Sequence, residues 1–517
     1  MTATLDKPTT GAGLESPGGM LRGAARGGLA NLAGTVCTGV AGLGVTWLAA
    51  RALDPRGAGA FFAATAVFGL GVTVAKLGVQ TSLVYWPARM RAVGDLSRLR
   101  ECLRAALVPV VVAALVIAGG LWFAADLLPG RPDLVRTLAV FLPLATVSDA
   151  LLAATRGLRS MRPTVLLDRV MRPGAQLVLL ALVWATGWGP DVFAALWALP
   201  YLPAALFAGV ALTRLRTRIT ESTGDSTGDS TGDSTGDSTG DSTGDTAERS
   251  DFTPRRFWAF TAPRAVASFA QMALQRVDVL LVAALAGLAP AAMYAVAGRF
   301  VILGQFVNQG VTQSVQPRLA ERLAVRDKAG ANLLYRQATA WVVLACWPLY
   351  LLMFTYAHLY LDLFGEHYEG GARIVRLLAA TMMVATACGM VDVVLAMAGR
   401  TWWNLANVGL ALVTMLGVDA LLIPRLGAFG AAVGLCAAVL VNNLVPLVQV
   451  VRGLGLHPFG RATLLACGLA TSCFAVPQLA VLPVHGLMVK FAATGAGAAV
   501  YCYAAVRLRH VLMQGER

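Results

Sequence analysis

A line of five polar side chains runs along the apolar stretch of residues 257–286. They recur at intervals of three and four residues, so an α-helix would place them on one face. A charged side chain at bilayer depth costs about 2.5–3.5 kcal/mol on insertion scales, and such residues usually face a bundle interior or a watery cavity. The line therefore predicts one wall of a solute pathway; the alternative is a polar seam that joins helices. The five residues are Arg264, Ser268, Gln271, Gln275 and Asp278.

Three other apolar stretches carry polar faces with the same spacing. One polar seam can join two helices, but four such faces, two near the start of each half of the chain, favour a central cavity. The three further faces consist of Asn31, Thr35, Thr38, Gly42 and Thr46; of Thr65, Gly69, Thr73, Lys76 and Gln80; and of Gln305, Gln309, Thr312 and Gln316.

The charge in this predicted cavity is mainly positive. Lys76 and Arg264 lie on the polar faces, and Arg299 is a further candidate. Asp278 can offset Arg264 or bind a coupling cation, H⁺ or Na⁺; Asp392 is a second candidate for that role, or a structural partner of an arginine. We predict that the cavity binds an anionic substrate and is lined by Lys76, Arg264, Gln271, Gln275, Arg299, Asn31, Gln305 and Gln309.

No catalytic or metal-binding pattern accompanies these residues in the sequence. The five histidines show neither metal-ligand nor triad spacing, and the eight cysteines show no C-x-x-C spacing. No glycine-rich loop followed by Lys-Ser or Lys-Thr is present to cradle a phosphate. The sequence therefore predicts a protein that is not an enzyme and that uses no cofactor or metal.

The elements that must hold the polar faces are membrane-spanning helices. Of the 517 residues, 57% are hydrophobic and only 14% are charged, and apolar runs near 20 residues recur along the chain. Such a run crosses a hydrocarbon core of about 30 Å. We predict an all-α polytopic membrane protein whose fourteen spans cover 29–50, 58–84, 105–125, 134–155, 170–188, 191–212, 257–286, 290–314, 338–357, 372–398, 402–423, 427–451, 462–482 and 485–506.

The basic residues predict how these spans are oriented. With the N-terminus in the cytoplasm, 30 of the 42 Lys and Arg residues fall in cytoplasmic segments and 6 in outer turns. Both termini are therefore expected in the cytoplasm. The same distribution accounts for the net charge of +14 without a nucleic-acid partner.

One long linker divides the chain. Residues 222–245 are six copies of Ser-Thr-Gly-Asp, which contain nothing apolar to bury, so we expect disorder there. Because the linker separates six spans from eight, we predict two lobes joined by a flexible tether. The predicted domains are a cytoplasmic tail (1–28), an N-lobe (29–212), the linker (213–256), a C-lobe (257–451), two further spans (452–506) and a second cytoplasmic tail (507–517).

Short, glycine-dependent motifs recur over nearly the whole chain outside the tail and the linker. They are ARALDP at 50–55 with GAFF at 59–62; KLGV at 76–79; RVD at 276–278 followed by Tyr294-Ala295; LFGE at 363–366 with GGA at 370–372; and LIPRLGAFGAA at 422–432. Together they resemble the polysaccharide (O-antigen or exopolysaccharide) flippase branch of the multidrug/oligosaccharidyl-lipid/polysaccharide (MOP) exporter superfamily.

This resemblance implies two six-helix lobes in a V shape plus two C-terminal helices. It also implies that the protein translocates polyprenyl-pyrophosphate-linked glycan precursors across the bacterial cytoplasmic membrane by alternating access, driven by an ion gradient or the membrane potential. Association with polysaccharide polymerase or glycosyltransferase machinery would follow. Two alternatives stay open: a lipid II flippase, and a multidrug or cation antiporter of the same superfamily. The antiporter would require a carboxylate in the N-lobe cavity to bind a cationic drug. The first two spans contain Lys76 and no acidic residue.

Overall fold

The chain folds as an all-α bundle in a computed structural model that describes residues 17–93, 98–158, 160–224, 252–477 and 487–513. Within these ranges the backbone forms nineteen α-helices and no strand. The helices are α1 (Pro17–Ala52), α2 (Pro55–Ala75), α3 (Val79–Val93), α4 (Leu99–Phe123), α5 (Pro132–Gly157), α6 (Arg172–Thr186), α7 (Pro190–Ala198), α8 (Tyr201–Gly224), α9 (Pro254–Leu285), α10 (Leu288–Ala297), α11 (Val301–Ala324), α12 (Lys328–Thr355), α13 (Ala357–Asp362), α14 (Ala372–Ala387), α15 (Val391–Met397), α16 (Thr401–Leu426), α17 (Ala428–Leu454), α18 (Arg461–Ala470) and α19 (Leu487–Met513).

The predicted fold class is confirmed. In the described part of the chain, ten helices are long and apolar enough to cross a membrane, or eleven if α10 and α11, which meet at a bend of 41°, form one span. The remaining predicted spans coincide with α1, with α6 and the π-helical segment Thr164–Met171 before it, and with α18. Each of the fourteen predicted spans therefore corresponds to a helix or to a broken pair of helices.

The second predicted span, 58–84, is interrupted between α2 and α3, a break that the sequence analysis did not predict. Its first part, α2, ends at Ala75, and Leu77 and Gly78 take φ values of +48° and +74° before α3 begins at Val79. A Cβ on Gly78 would lie 2.6 Å from the backbone nitrogen of Ala265 in α9. Only glycine fits both this left-handed backbone and the close approach of α9.

Two of the helices that carry the predicted polar faces start with the same local device. The Asp54 carboxylate accepts hydrogen bonds from the backbone N–H groups of Arg56 and Gly57, and Pro55 opens α2. The Thr253 hydroxyl accepts from the N–H of Arg256, and Pro254 opens α9. Such caps contribute about 1 kcal/mol each, and proline at the first position costs no hydrogen bond. They fix where α2 and α9 begin.

The helices before and after the linker share one hydrophobic core. The largest cluster of buried residues joins Phe61 and Phe68 of α2 to Val282 of α9, Ala291 of α10 and Phe300. In this core α2 packs against α9 and α10. The repeat at 222–245 lies outside the described residues from Asp225 onward. The division into two lobes joined by a tether therefore stays a prediction.

The loops at the two ends of the bundle differ in their content of Lys and Arg residues, and we name the ends accordingly. At one, which we call the arginine-rich end, α3 finishes, α4 and α9 start, and Arg91 donates to the carbonyl of Leu158 at 2.9 Å. At the other, the arginine-poor end, α1 finishes, α2 starts and α13 lies. There Arg51 donates to the carbonyls of Asp362 and Leu363, both at 3.0 Å.

Candidate functional site

Helix α9 exposes two strips on opposite sides. One strip is apolar and includes Val266 and Phe269, while the other is polar and includes Ser268, Gln271 and Gln275. At 100° per residue, Ser268 lies 200° around the helix from Val266. Hydrocarbon accommodates the apolar strip, but amides without partners are costly there. We therefore expect the polar strip to face water inside the bundle, and its place on the wall of a pathway stays a prediction.

Helix α11 also exposes a polar face. Within Val301–Ala324, all of which is described, the exposed residues include Gln305 and Gln309, and no large hydrophobic side chain is exposed. A Cβ on Gly39 of α1 would overlap the ring of Phe306, so α1 and α11 are in contact. The glutamines of α11 therefore lie next to the first helix of the chain.

Open space also adjoins the polar faces of the first two helices. A Cβ added to Gly42 of α1 or to Gly69 of α2 would meet no atom within 4 Å. These are two of the positions that sequence spacing placed on the predicted cavity wall. The side chains of Asn31 and Thr35, from the same face of α1, lie outside the described residues.

Lys76 is paired. It lies in the break between α2 and α3, and its Nζ is 3.0 Å from the Asp149 carboxylate of α5. Both side chains are largely buried. A second pair lies in the same half of the chain, where Arg172 contacts the Asp168 carboxylate at 2.6 Å and donates to the Tyr201 hydroxyl at 2.9 Å. The positive charge of Lys76 is therefore offset within the N-terminal half.

The two arginines of the predicted cavity have no carboxylate partner among the described residues. Arg264 donates to the backbone carbonyl of Phe260 at 2.6 Å, and its guanidinium lies 3.6 Å from the centre of the Phe260 ring. Arg299, at the bend between α10 and α11, donates through Nε to the Thr46 hydroxyl of α1 at 2.5 Å. Within the described residues, neither arginine therefore has a carboxylate that offsets its charge.

Asp278 forms a buried acidic site with residues that the sequence analysis did not select. Asp278 is 4% exposed, and its carboxylate accepts a hydrogen bond from the Tyr294 hydroxyl at 2.5 Å. Asp419 of α16 is fully buried, neither of its oxygens has a hydrogen-bond partner in the described part of the chain, and its charge is close enough to interact with that of Asp278. Arg276 also acts on Asp278 electrostatically. A buried carboxylate without a partner, such as Asp419 among the described residues, is costly unless it binds a proton or a cation.

Asp419 could have been found from the sequence. It is the only acidic residue in the predicted span 402–423, and an acid within a span is by itself a signal of function. It was missed because no polar face surrounds it in the sequence.

Asp392, the second predicted coupling residue, lies elsewhere. It is exposed, and its backbone carbonyl accepts a hydrogen bond from Asn404. Its neighbour Val391 packs in a cluster with Val450 and Leu456, where α17 ends. The structure therefore does not bring Asp392 to Asp278. Among the described residues no three His, Cys, Asp or Glu side chains are grouped to hold a metal ion.

Residues 263–423, about a third of the chain, match the MatE family. This segment begins in α9 and ends in α16, so it contains Asp278, Tyr294 and Asp419. No curated protein matches the chain in sequence.

Solved structures match over most of the chain. One is the lipid II flippase MurJ in an inward closed conformation, with a TM-score of 0.67 and 10% identity, covering 93% of this chain and 98% of that one. Another is an inward-facing multidrug resistance MATE family transporter of the MOP superfamily, with a TM-score of 0.61 and 15% identity over 81% of this chain and 94% of that one. The chain shares the fold of these two transporters. A MOP superfamily transporter from Pyrococcus furiosus, described by the reverse polarity of its binding pocket, matches at a TM-score of 0.54 and 14% identity, covering 84% of this chain and 96% of that one.

Proposed function

We propose that the protein moves lipid-linked oligosaccharide or polysaccharide precursors across the cytoplasmic membrane by alternating access. The observation that carries this proposal is that Arg264 and Arg299, both predicted to line the path between the halves, have no carboxylate partner among the described residues. A fork of N–H donors suits a pyrophosphate or an acidic sugar, and charge in a poorly hydrated path attracts its counter-ion strongly.

A cationic substrate fits the same path poorly. It would need an available carboxylate, but Asp149 pairs with Lys76, and Asp278 and Asp419 are buried behind the polar strip. The multidrug antiporter is therefore the weaker alternative.

The N-terminal and C-terminal halves of the chain contact each other at both ends of the bundle. We call these two sets of contacts closures, because each would shut the path at its own end. At the arginine-rich end, Ser82 and Thr261 hydrogen-bond at 2.6 Å, and Tyr85 stacks on Phe260 with ring centres 4.7 Å apart. At the arginine-poor end, Trp47 donates to the Leu363 carbonyl at 2.8 Å. Transport requires that these two sets of contacts break in turn. We place the arginine-rich end in the cytoplasm, because short loops on that side carry most of the Lys and Arg residues.

In this proposal an ion gradient drives transport, and Asp278 and Asp419, which we call the acidic pair, bind the coupling ion. A cation bound between Asp278 and Asp419 would neutralise the charge of Asp419, whose oxygens have no hydrogen-bond partner among the described residues, and would add to the partners of Asp278. Tyr294 of α10 donates to Asp278 of α9, and α10 packs against α2. Binding of a cation by the two aspartates would therefore also change the contact between α10 and α2. The ion gradient would thereby bias the arginine-poor closure. Asp392, which lies apart from this pair, is proposed as a second coupling residue.

A lipid II flippase is the second candidate. The matching MurJ structure spans 93% of this chain, compared with 81% for the inward-facing multidrug transporter. Lipid II shares the polyprenyl pyrophosphate group with the first proposed substrate, so the same arginines would serve. Machinery that makes or polymerises the glycan is the expected partner in either case.

The test is outer-leaflet appearance of lipid-linked glycan in cells that hold equal amounts of each variant. Arg264→Gln with Arg299→Gln should reduce it strongly while the protein still inserts, since a neutral amide lowers the insertion cost. The matched control is Arg373→Gln with Arg425→Gln, two exposed arginines at the arginine-poor end, which should transport normally. Wild-type transport by the first variant would refute the proposal, and cationic-drug export by the wild type would favour the antiporter.

A further inference from the structure

A groove of about 610 Å³ opens at the arginine-rich end, between the start of α4 and the start of α9. One wall therefore comes from each half of the chain. The groove is separate from the polar path: Trp258, which lines it, lies 20° around α9 from the exposed Phe269, on the apolar side of the helix. It therefore opens toward the lipid.

The upper part of the groove is cationic. Arg98, Arg100 and Arg104 line it, together with one carboxylate, Glu101. Arg98 donates to the backbone carbonyl of Phe252 at 2.8 Å and so links α4 to the segment before α9. Arg100 and Arg104 are exposed and, within the described part of the chain, form no hydrogen bond or ion pair. Two guanidinium groups one helical turn apart thus line the groove, and neither forms an ion pair with Glu101 or with any other described residue.

The cationic rim continues into an apolar strip. Val108 lines the groove one turn beyond Arg104 and is 58% exposed, and the strip continues through the exposed Val112 to Val116, which is 68% exposed. Arg104 and Val116 are twelve residues apart, which spans about 18 Å of helix. This length is close to that of one leaflet of a hydrocarbon core about 30 Å thick. A charged group at the top and a leaflet-long apolar strip below match the shape of a phospholipid.

We propose that this groove binds an anionic phospholipid, with its phosphate between Arg100 and Arg104 and an acyl chain along Val108 to Val116. Basic residues at the membrane surface attract anionic headgroups, and tryptophan is favoured at that depth, where Trp258 lies across the groove. Since the walls belong to both halves, a bound lipid stabilises the closure at the arginine-rich end. The lipid is thus a regulatory ligand distinct from the transported substrate.

The test is lipid binding by the purified full-length protein, measured by native mass spectrometry with phosphatidylglycerol and phosphatidylcholine as probes. The wild type should retain phosphatidylglycerol in preference to phosphatidylcholine. Arg100→Gln with Arg104→Gln should weaken this binding roughly 30-fold, equivalent to about 2 kcal/mol for two basic residues. Each single variant should lose about fivefold, so the result can be read even if the double variant unfolds. The matched control, Arg214→Gln with Arg318→Gln, removes two exposed charges outside the groove and should bind as the wild type does.

Three results would overturn the proposal. Equal phosphatidylglycerol binding by the double variant and the control would show that the groove is not the site. Displacement of the lipid by inorganic phosphate would show that the site recognises free phosphate. Binding that appears only after residues 222–245 are deleted would assign the groove to that aspartate-containing repeat instead.

Discussion

Replacing Gly59 by alanine should open the arginine-poor end of the protein. Gly59 lies in α2 where that helix meets α10, and a Cβ built on it would overlap the carbonyl group of Leu288 and lie 3.1 Å from the Leu288 Cα. The obstacle is backbone and cannot rotate away. The two helices must therefore separate if the variant is to avoid the clash.

The size of the shift toward the open form follows from the cost of the clash between the added Cβ and Leu288. Overpacking a tight contact costs about 1–3 kcal/mol, and this cost applies only while the arginine-poor end is closed. It should shift the equilibrium toward the open form by roughly 5- to 150-fold. Alanine also favours helix over glycine by about 1 kcal/mol, whichever end is open. Gly69→Ala is the matched control, because it gives α2 the same helix-propensity gain at a position with no atom within 4 Å.

The assay is the distance between spin labels on cysteines that replace Arg56 and Leu285, two exposed residues near the arginine-poor ends of α2 and α9. The exposed Cys37 and Cys502 are first replaced by serine. Gly59→Ala should add a longer distance that the control lacks. Identical distance distributions in the two variants would show that this contact is not a closure.

Three further predictions concern coupling, the linker and topology. Na⁺ at about 100 times its Kd should stabilise the wild type by about 2.7 kcal/mol in thermal unfolding. Asp419→Asn and Asp278→Asn should each abolish that gain. If Na⁺ stabilised both variants as much as the wild type, the acidic pair would not be the coupling site. Deleting 222–245 should leave insertion and transport near wild type, measured in cells, and loss of folded protein would show that the repeat is structural. Cysteine at Gly370 should react with an impermeant thiol reagent in intact cells while cysteine at Ser234 resists it, and the reverse pattern would invert the topology.

The all-α fold could be predicted from the sequence because hydrophobic length is a strong constraint in a bilayer. Each span must hide its own backbone polar groups, so runs near 20 residues report helices directly. The breaks could not be predicted in this way. Leu77 and Gly78 interrupt the second span because α9 approaches there, and that approach is a property of tertiary packing.

The site was only partly predictable for the same reason. Spacing along one helix was enough to place Gln271 and Gln275 on a polar strip. It could not show that Lys76 meets Asp149, 73 residues further along the chain, nor that Asp419 lies near Asp278. Pairing between helices decides which charges stay uncompensated, and a periodicity within one helix carries no information about it.

The central claim is that an anionic, lipid-linked glycan is the substrate of the polar path. It is tested most directly with purified protein in liposomes that contain a fluorescent polyprenyl-pyrophosphate oligosaccharide. The measurement is the rate at which label in the inner leaflet becomes accessible to an impermeant quencher. Wild-type protein should accelerate that rate, and Arg264→Gln with Arg299→Gln should return it close to the rate of protein-free liposomes. A wild-type rate equal to that of protein-free liposomes, with the same preparation transporting a cationic dye, would contradict the account.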